Sequence, residues 1–209
     1  MKMMNIEEWV WRFGTTKKTN NVVGIDYSTT SPAICVSVND PYVDSFQTYD
    51  IHYLTTKKKV IDEYWNTPFL FFGHELPNLD GIERYKYISS WAIDIIRSYE
   101  VYEVYIEDYA YAATGRVFHI GENTGILKYR LNRMDIPVFP VAPTQIKKHA
   151  TGKGNANKDL MRSAFEAETN VYLQDIMQYT GSNPISDIID SYYVCTYGED
   201  DEGKDGDES

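Results

Sequence analysis

Val22-Val23-Gly24-Ile25-Asp26, then Tyr27-Ser28-Thr29-Thr30-Ser31-Pro32, then Ala33-Ile34-Cys35-Val36-Ser37-Val38 is the stretch whose reading decides the fold. An apolar run of strand length ends in an acid, passes through a Ser/Thr turn closed by proline, and resumes as a second apolar run. The pattern predicts strands over 22–26 and 33–38. Downstream, 46–54 and 68–73 are aromatic and extended, so the first half reads as strands joined by short turns. Between 82 and 99 the period changes. Ile82, Tyr85, Ile88, Ser89, Ala92, Ile93 and Ile96 recur at helical spacing and lead into a strand over 101–107. Helix followed by strand suggests a crossover.

The second half continues the alternation. A helix is predicted over 117–132, a short strand over 137–141, a helix starting at Pro143-Thr144, and a flexible basic loop over 151–158. A helix over 159–168 follows, with a last ordered element over 185–197. No internal repeat appears. The expectation is one α/β domain over 21–198, a mixed central sheet flanked by helices. Ile6, Trp9, Val10 and Phe13 give residues 1–20 a short docking helix and a polar linker, and 199–209 read as an acidic disordered tail.

Hydrophobic residues make up 43% and charged residues 24% of the 209, which is ordinary globular composition. No apolar run approaches the roughly 20 residues that cross a bilayer, and the charged N-terminus has no secretory signal pattern. A soluble, cytoplasmic, non-secreted protein is expected. Cys35 and Cys195 lie in apolar runs and read as small buried hydrophobes.

The formal charge of −11 opposes a nucleic-acid partner at first sight. Seven acids and one lysine in 199–209 contribute −6 of it, leaving −5 for residues 1–198. Polyanions respond to local charge, and Arg116, Lys128, Arg130, Arg133, Lys147, Lys148, Lys153 and Lys158 form a basic series. The tail is either a solvated terminus or a DNA mimic that competes for the same groove.

Four acids stand in suggestive contexts. Asp26 ends one predicted strand and Glu107 ends Val104-Tyr105-Ile106-Glu107, so each emerges at the sheet rim. Asp187 and Asp190 are spaced i, i+3 and share a helix face. Asp108 competes with Glu107 for the strand-end role, and strand alternation puts the two on opposite faces. Converging carboxylates are what hard cations such as Mg²⁺ require, and two such ions stabilise the attacking and leaving oxygens of a phosphodiester. Taken alone, Asp187 reads equally well as a helix cap.

These blocks, in this order, resemble the RuvC-type Holliday junction resolvases of the RNase H-like superfamily. The resemblance rests on Gly24-Ile25-Asp26 with its Ser/Thr turn and on Tyr105-Ile106-Glu107. It also rests on Pro143-Thr144-Gln145-Ile146-Lys147-Lys148 running into Thr151-Gly152-Lys153-Gly154-Asn155-Ala156-Asn157-Lys158, and on Asp187-Ile188-Ile189-Asp190-Ser191. It implies an RNase H-like fold and a homodimer that resolves four-way junctions and other branched DNA by paired symmetric nicks. Asp26, Glu107, Asp187 and Asp190 would then hold two Mg²⁺ per active site, with Mn²⁺ able to substitute, and no nucleotide cofactor or membrane is needed.

Lys158 would act at the attacked phosphate, and Lys147, Lys148, Lys153 and Arg116 would hold DNA. Tyr109 and Tyr111 stand where the family carries an aromatic wedge for the branch point, although with 18 tyrosines in the chain ordinary packing explains them equally well. His149 beside Lys148 is a further phosphate candidate, and His52, His74 and His119 show no metal spacing. The chain departs from the bacterial pattern in a longer aromatic stretch between Phe46 and Phe72, in residues 1–20 and in the acidic tail, features that fit a viral (phage) member. The rivals are a catalytically inactive branched-DNA scaffold, opposed by the presence of all four acids, and an actin- or sugar-kinase-like ATP-binding domain. The latter matches the 24–31 turn, yet it needs two related halves and leaves Glu107 and the lysine loop unexplained.

Overall fold

The computed structural model describes residues 21–39, 47–66, 68–108 and 117–205. The helix expected over 5–13, Tyr109, Tyr111 and Arg116 lie outside them. Seven strands form one mixed sheet: β1 (Val22–Asp26), β2 (Ala33–Asn39), β3 (Gln47–Thr55), β4 (Glu63–Asn66), β5 (Phe69–Glu75), β6 (Glu103–Glu107) and β7 (Val138–Val141), in the order β4-β5-β3-β2-β1-β6-β7. β1, β2 and β3 form an antiparallel meander, whereas β6 runs parallel to β1 and β7 parallel to β6. The parallel half is reached by the expected crossovers, α1 (Gly81–Ser98) and α2 (Val117–Asn132). Then come α3 (Pro143–Thr151), α4 (Lys158–Thr169), the short α5 (Leu173–Ile176) and α6 (Ile185–Asp205).

Alternation along the strands sorts the core into two layers. Val23, Ile25, Ile34, Val36, Val104 and Ile106 pack against Ile88, Ile93, Ile96, Leu127 and Leu131 of α1 and α2. Val22, Cys35, Ile51, Tyr53, Phe69, Phe71 and Tyr105 face the other way, onto Met161, Phe165, Ile188, Ile189, Tyr192 and Cys195. Both cysteines are free and buried, as small hydrophobes. The aromatic stretch between Phe46 and Phe72 is therefore structural in large part: it supplies β3 and two further strands at the sheet edge, with Phe69 and Phe71 buried.

α6 lies close over β1, and Gly24 permits it. A Cβ on Gly24 would overlap the backbone of Cys195 and stand 2.6 Å from the Ser191 carbonyl oxygen. α6 is also longer than the last ordered element expected over 185–197. It does not stop at Tyr197 but runs on to Asp205. The hydroxyl of Tyr49 donates to Glu199 Oε2 at 3.1 Å, and Asp200 lies 3.7 Å from His149, so the first part of the acidic segment is docked on the domain.

Candidate active site

β1 and β6 pair in parallel through Ile25 and Ile106, so Asp26 and Glu107 close two adjacent strands at the same rim. On β1 the residues facing α6 are Val22 and Gly24, and on β6 the residue is Tyr105. Two steps further along each strand give Asp26 and Glu107. Both acids therefore emerge on the α6 side. Asp187 and Asp190 occupy the first two turns of α6, above this rim.

Ser31, at the end of the turn after β1, donates to Asp187 Oδ2 at 2.8 Å. The Asn183 amide donates to Ser31 Oγ at 2.8 Å and to Asp187 Oδ1 at 3.3 Å, so both carboxylate oxygens are held. Asp187 is 6% exposed, which makes those bonds necessary. The turn itself is closed by Ser28 Oγ, which accepts from Ser31 N at 2.9 Å. Arg84 of α1 anchors it further by donating to the Thr29 carbonyl at 3.0 Å. Sequence reading missed Ser31 and Asn183 as site residues. The signal was faint: a serine immediately before Pro32, and an Asn-Pro pair just ahead of the D-x-x-D helix.

All four acids are pushed to bind protons more tightly. Burial raises Glu107 to about 7, helped by Asp190, while Lys147 pulls it down. Burial likewise raises Asp190 to about 6, reinforced by Asp187 and opposed by Lys158 and Lys147. Asp187 stands at about 6 through burial, moderated by its Ser31 bond and by Lys158. Asp26 is raised by burial and then by Asp187, Glu107 and Asp190 in turn. The mutual repulsion shows that the four acids form one electrostatic unit with too little positive charge.

Lys158 opens α4, where a cation opposes the helix dipole. Its amine is held by Ser182 Oγ at 3.2 Å and Ser186 Oγ at 3.1 Å, within electrostatic reach of Asp187 and Asp190. Asn157 caps the helix by accepting from Leu160 N at 2.9 Å. Lys147 on α3 is half-buried beside Glu107 and Asp190, whereas Lys148 and Lys153 are exposed. Arg130 of the basic series and the phosphate candidate His149 point to other duties. Arg130 donates to Ser89 and Ser90 of α1, both at 2.9 Å, and His149 bonds Thr196 at 2.9 Å.

The donor set fits a hard divalent cation: carboxylate oxygens only, with repulsion that a cation would relieve. Among the described residues no three acidic, histidine or cysteine side chains are already gathered as a metal cage. No helix among them is long and apolar enough to cross a membrane.

A protein-family model described as crossover junction endodeoxyribonuclease RuvC matches residues 76–178, a span containing Glu107, Lys147, Lys148, Lys153 and Lys158. Among solved structures, Thermus thermophilus RuvC in complex with a Holliday junction substrate aligns with a TM-score of 0.56 at 14% identity, over 86% of this chain and 94% of that one. A second Thermus thermophilus RuvC structure aligns at 0.53 and 15% identity, over 85% and 93%. The yeast mitochondrial Holliday junction resolvase Ydc2 aligns at 0.51 and 15% identity, over 85% and 77%. These likenesses show a shared fold. No curated protein matches the chain in sequence. The family match spans 76–178, just under half of the chain, and contains Glu107 and the lysine loop, so the chain is similar to RuvC crossover junction endodeoxyribonucleases there and shares their fold over 85% of its length.

Proposed function

We propose that the chain resolves four-way DNA junctions by hydrolysing one phosphodiester per subunit, at a divalent-metal site formed by Asp26, Glu107, Asp187 and Asp190. The observation that carries this reading is the electrostatic coupling of the four acids at one rim, flanked by Lys147 and Lys158. Two Mg²⁺ ions, with Mn²⁺ as substitute, would supply activation of the attacking water and charge stabilisation at the leaving oxygen. Ser31 and Asn183 hold Asp187 in one orientation, and Lys158 offers its positive charge to the attacked phosphate. Lys147 sits nearer Glu107, and exposed Lys148 and Lys153 extend the basic surface towards the flanking backbone.

Two nicks related by the junction's symmetry call for a two-fold pair of chains. A surface that suits a second copy is the outer stripe of α2, where Phe118 is 80% and Tyr129 64% exposed and a Cβ at Gly125 would meet nothing within 4 Å. Two buried free thiols fit a reducing compartment such as the cytoplasm. The decisive experiment incubates the protein with a labelled four-way junction and Mg²⁺, beside Asp26→Asn. Paired symmetric nicks from the unmodified chain and none from the variant are expected. No cutting by the former, or equal cutting by both, overturns the reading.

A further inference from the structure

We infer that Lys57, Lys58 and Lys59 form a second phosphate-binding platform, which grips an arm of the same DNA on the far side of the carboxylates from Lys147 and Lys158. The inference rests on the reading above and names a contact surface for it. These residues lie outside the family-matched span of 76–178.

Strand register places them. Asp26 pairs with Ala33, and Ala33 pairs with Tyr53, so the end of β3 reaches the same rim as Asp26. β3 is two strands from β1, about 10 Å along that rim. The lysines follow β3 directly, whereas α3 and α4 follow β7 on the other side of β1. The carboxylates thus stand between two sets of cations, with a spacing on the scale of a DNA groove, about 12 Å.

The turn that carries them is fixed in place. Val60 is fully buried, its carbonyl accepts from the Tyr53 hydroxyl at 2.7 Å, and its N–H donates to the Lys57 carbonyl at 3.0 Å. Lys57 N donates to Thr55 Oγ1 at 3.0 Å, and Gly73 N to the Asp62 carbonyl at 2.9 Å. Gly73 needs to be glycine, since a Cβ there would run into the Val60 carbonyl. A pinned backbone that presents three exposed lysines in sequence spends little entropy on ordering them against a backbone of phosphates.

Asp62, Glu63 and Glu75 are the nearby acids. Asp62 turns its carboxylate to the N–H of Glu63 at 2.9 Å, and none of the three forms an ion pair with these lysines among the described residues. One residue step past Tyr64 on the edge strand, Trp65 is 74% exposed and offers an apolar face to a deoxyribose or an unpaired base.

The test measures binding of a labelled four-way junction without divalent metal over a salt series, for the unmodified chain and for Lys57→Ala/Lys58→Ala/Lys59→Ala. The triple variant should lower the slope of log K against log salt by about 2 to 3, at roughly 0.9 per phosphate, and weaken binding about a hundredfold near 0.1 M salt. Its nicking rate at saturating junction should be unchanged. Trp65→Ala should weaken binding with no change of slope. Lys58→Glu, a single exposed reversal, supplies the same reading if the triple variant folds poorly. An unchanged salt slope while the unmodified chain binds and cuts junctions overturns this inference alone. Failure of the unmodified chain to bind or cut junctions overturns the proposed function, and this inference with it.

Discussion

The hydroxyl of Ser31 and the carboxylate of Asp187, 156 positions apart in sequence, meet at 2.8 Å and tie the turn after β1 to the first turn of α6. This bond fixes where one oxygen of Asp187 points, and outer partners of that kind set the affinity of a metal site as much as the ligands do. Ser31→Ala should raise the Mg²⁺ concentration for half-maximal nicking about tenfold. Ser31→Thr keeps the hydroxyl and should restore most of the loss. Mg²⁺ titrations of nicking read both, and equal Mg²⁺ dependence for Ser31→Ala and the unmodified chain would show that Asn183 alone orients Asp187.

Gly24 and Gly121 predict opposite outcomes for the same substitution. A Cβ at Gly24 overlaps the backbone of α6, which cannot retreat without uncovering the core beneath it, so Gly24→Ala should cost about 3 kcal/mol or more. A Cβ at Gly121, inside α2, meets nothing within 4 Å. Gly121→Ala should be neutral or stabilising by up to about 1 kcal/mol, because alanine is the better helix former. Urea unfolding of the two variants separates them.

Without metal, the four acids oppose folding. Asp190 has its pKa raised to about 6, so the native state keeps a proton that the unfolded chain releases, and stability falls as pH rises from about 4 through 6. Above that window the cost is fully present. Asp190→Asn should therefore stabilise the metal-free protein at pH 8 by about 1–2 kcal/mol while abolishing cutting. Thermal unfolding in a chelator measures the first effect and junction cleavage the second. A variant that loses both stability and activity would mean that Asp190 is held by structural contacts rather than strained for function.

Much of this site is legible in the sequence because its acids end strands or share a helix face. Asp26 and Glu107 follow apolar runs, and the i, i+3 pair at 187 and 190 needs no tertiary knowledge. The choice of Glu107 over Asp108 needs more, since it depends on which face of β6 meets α6, and Gly24 and Tyr105 reveal that only once packed. Ser31 and Asn183 were hidden for the same reason, as hydroxyl and amide partners are set by approach of distant segments. The strand β4 and the four-residue α5 are too short to show a period. The acidic segment reads as solvated by composition, yet Tyr49 and His149 hold its first residues, and the helix runs on to Asp205.

On the α1 face of the sheet, Tyr99 donates to Asp50 Oδ2 at 2.7 Å, shares a 2.9 Å bond with His52 Nε2, and His52 Nδ1 lies 3.3 Å from His74 Nε2. Burial raises Asp50 to about 6, moderated by the Tyr99 bond, and depresses His52, with His74 adding to the effect. The two shifts act oppositely on stability. Raised Asp50 makes the native state hold a proton the unfolded chain releases, so its contribution declines as pH rises from about 4 to 6. Depressed His52 makes the unfolded chain take up a proton that the native state refuses, so its contribution declines as pH falls below about 6.5.

Burial depresses His74 as well, so the histidines oppose the Asp50 slope in the unmodified protein, and only a difference between variants isolates Asp50. Asp50→Asn removes the carboxylate's titration and leaves the histidines. Unfolding free energies taken from pH 4 to 7.5 should show the variant gaining about 2 kcal/mol on the unmodified protein across pH 4–6, with the difference level above that. Any constant offset reports the new amide's hydrogen bonding. A difference that stays flat across the whole range would show that Asp50 is ionised in the folded protein at pH 4.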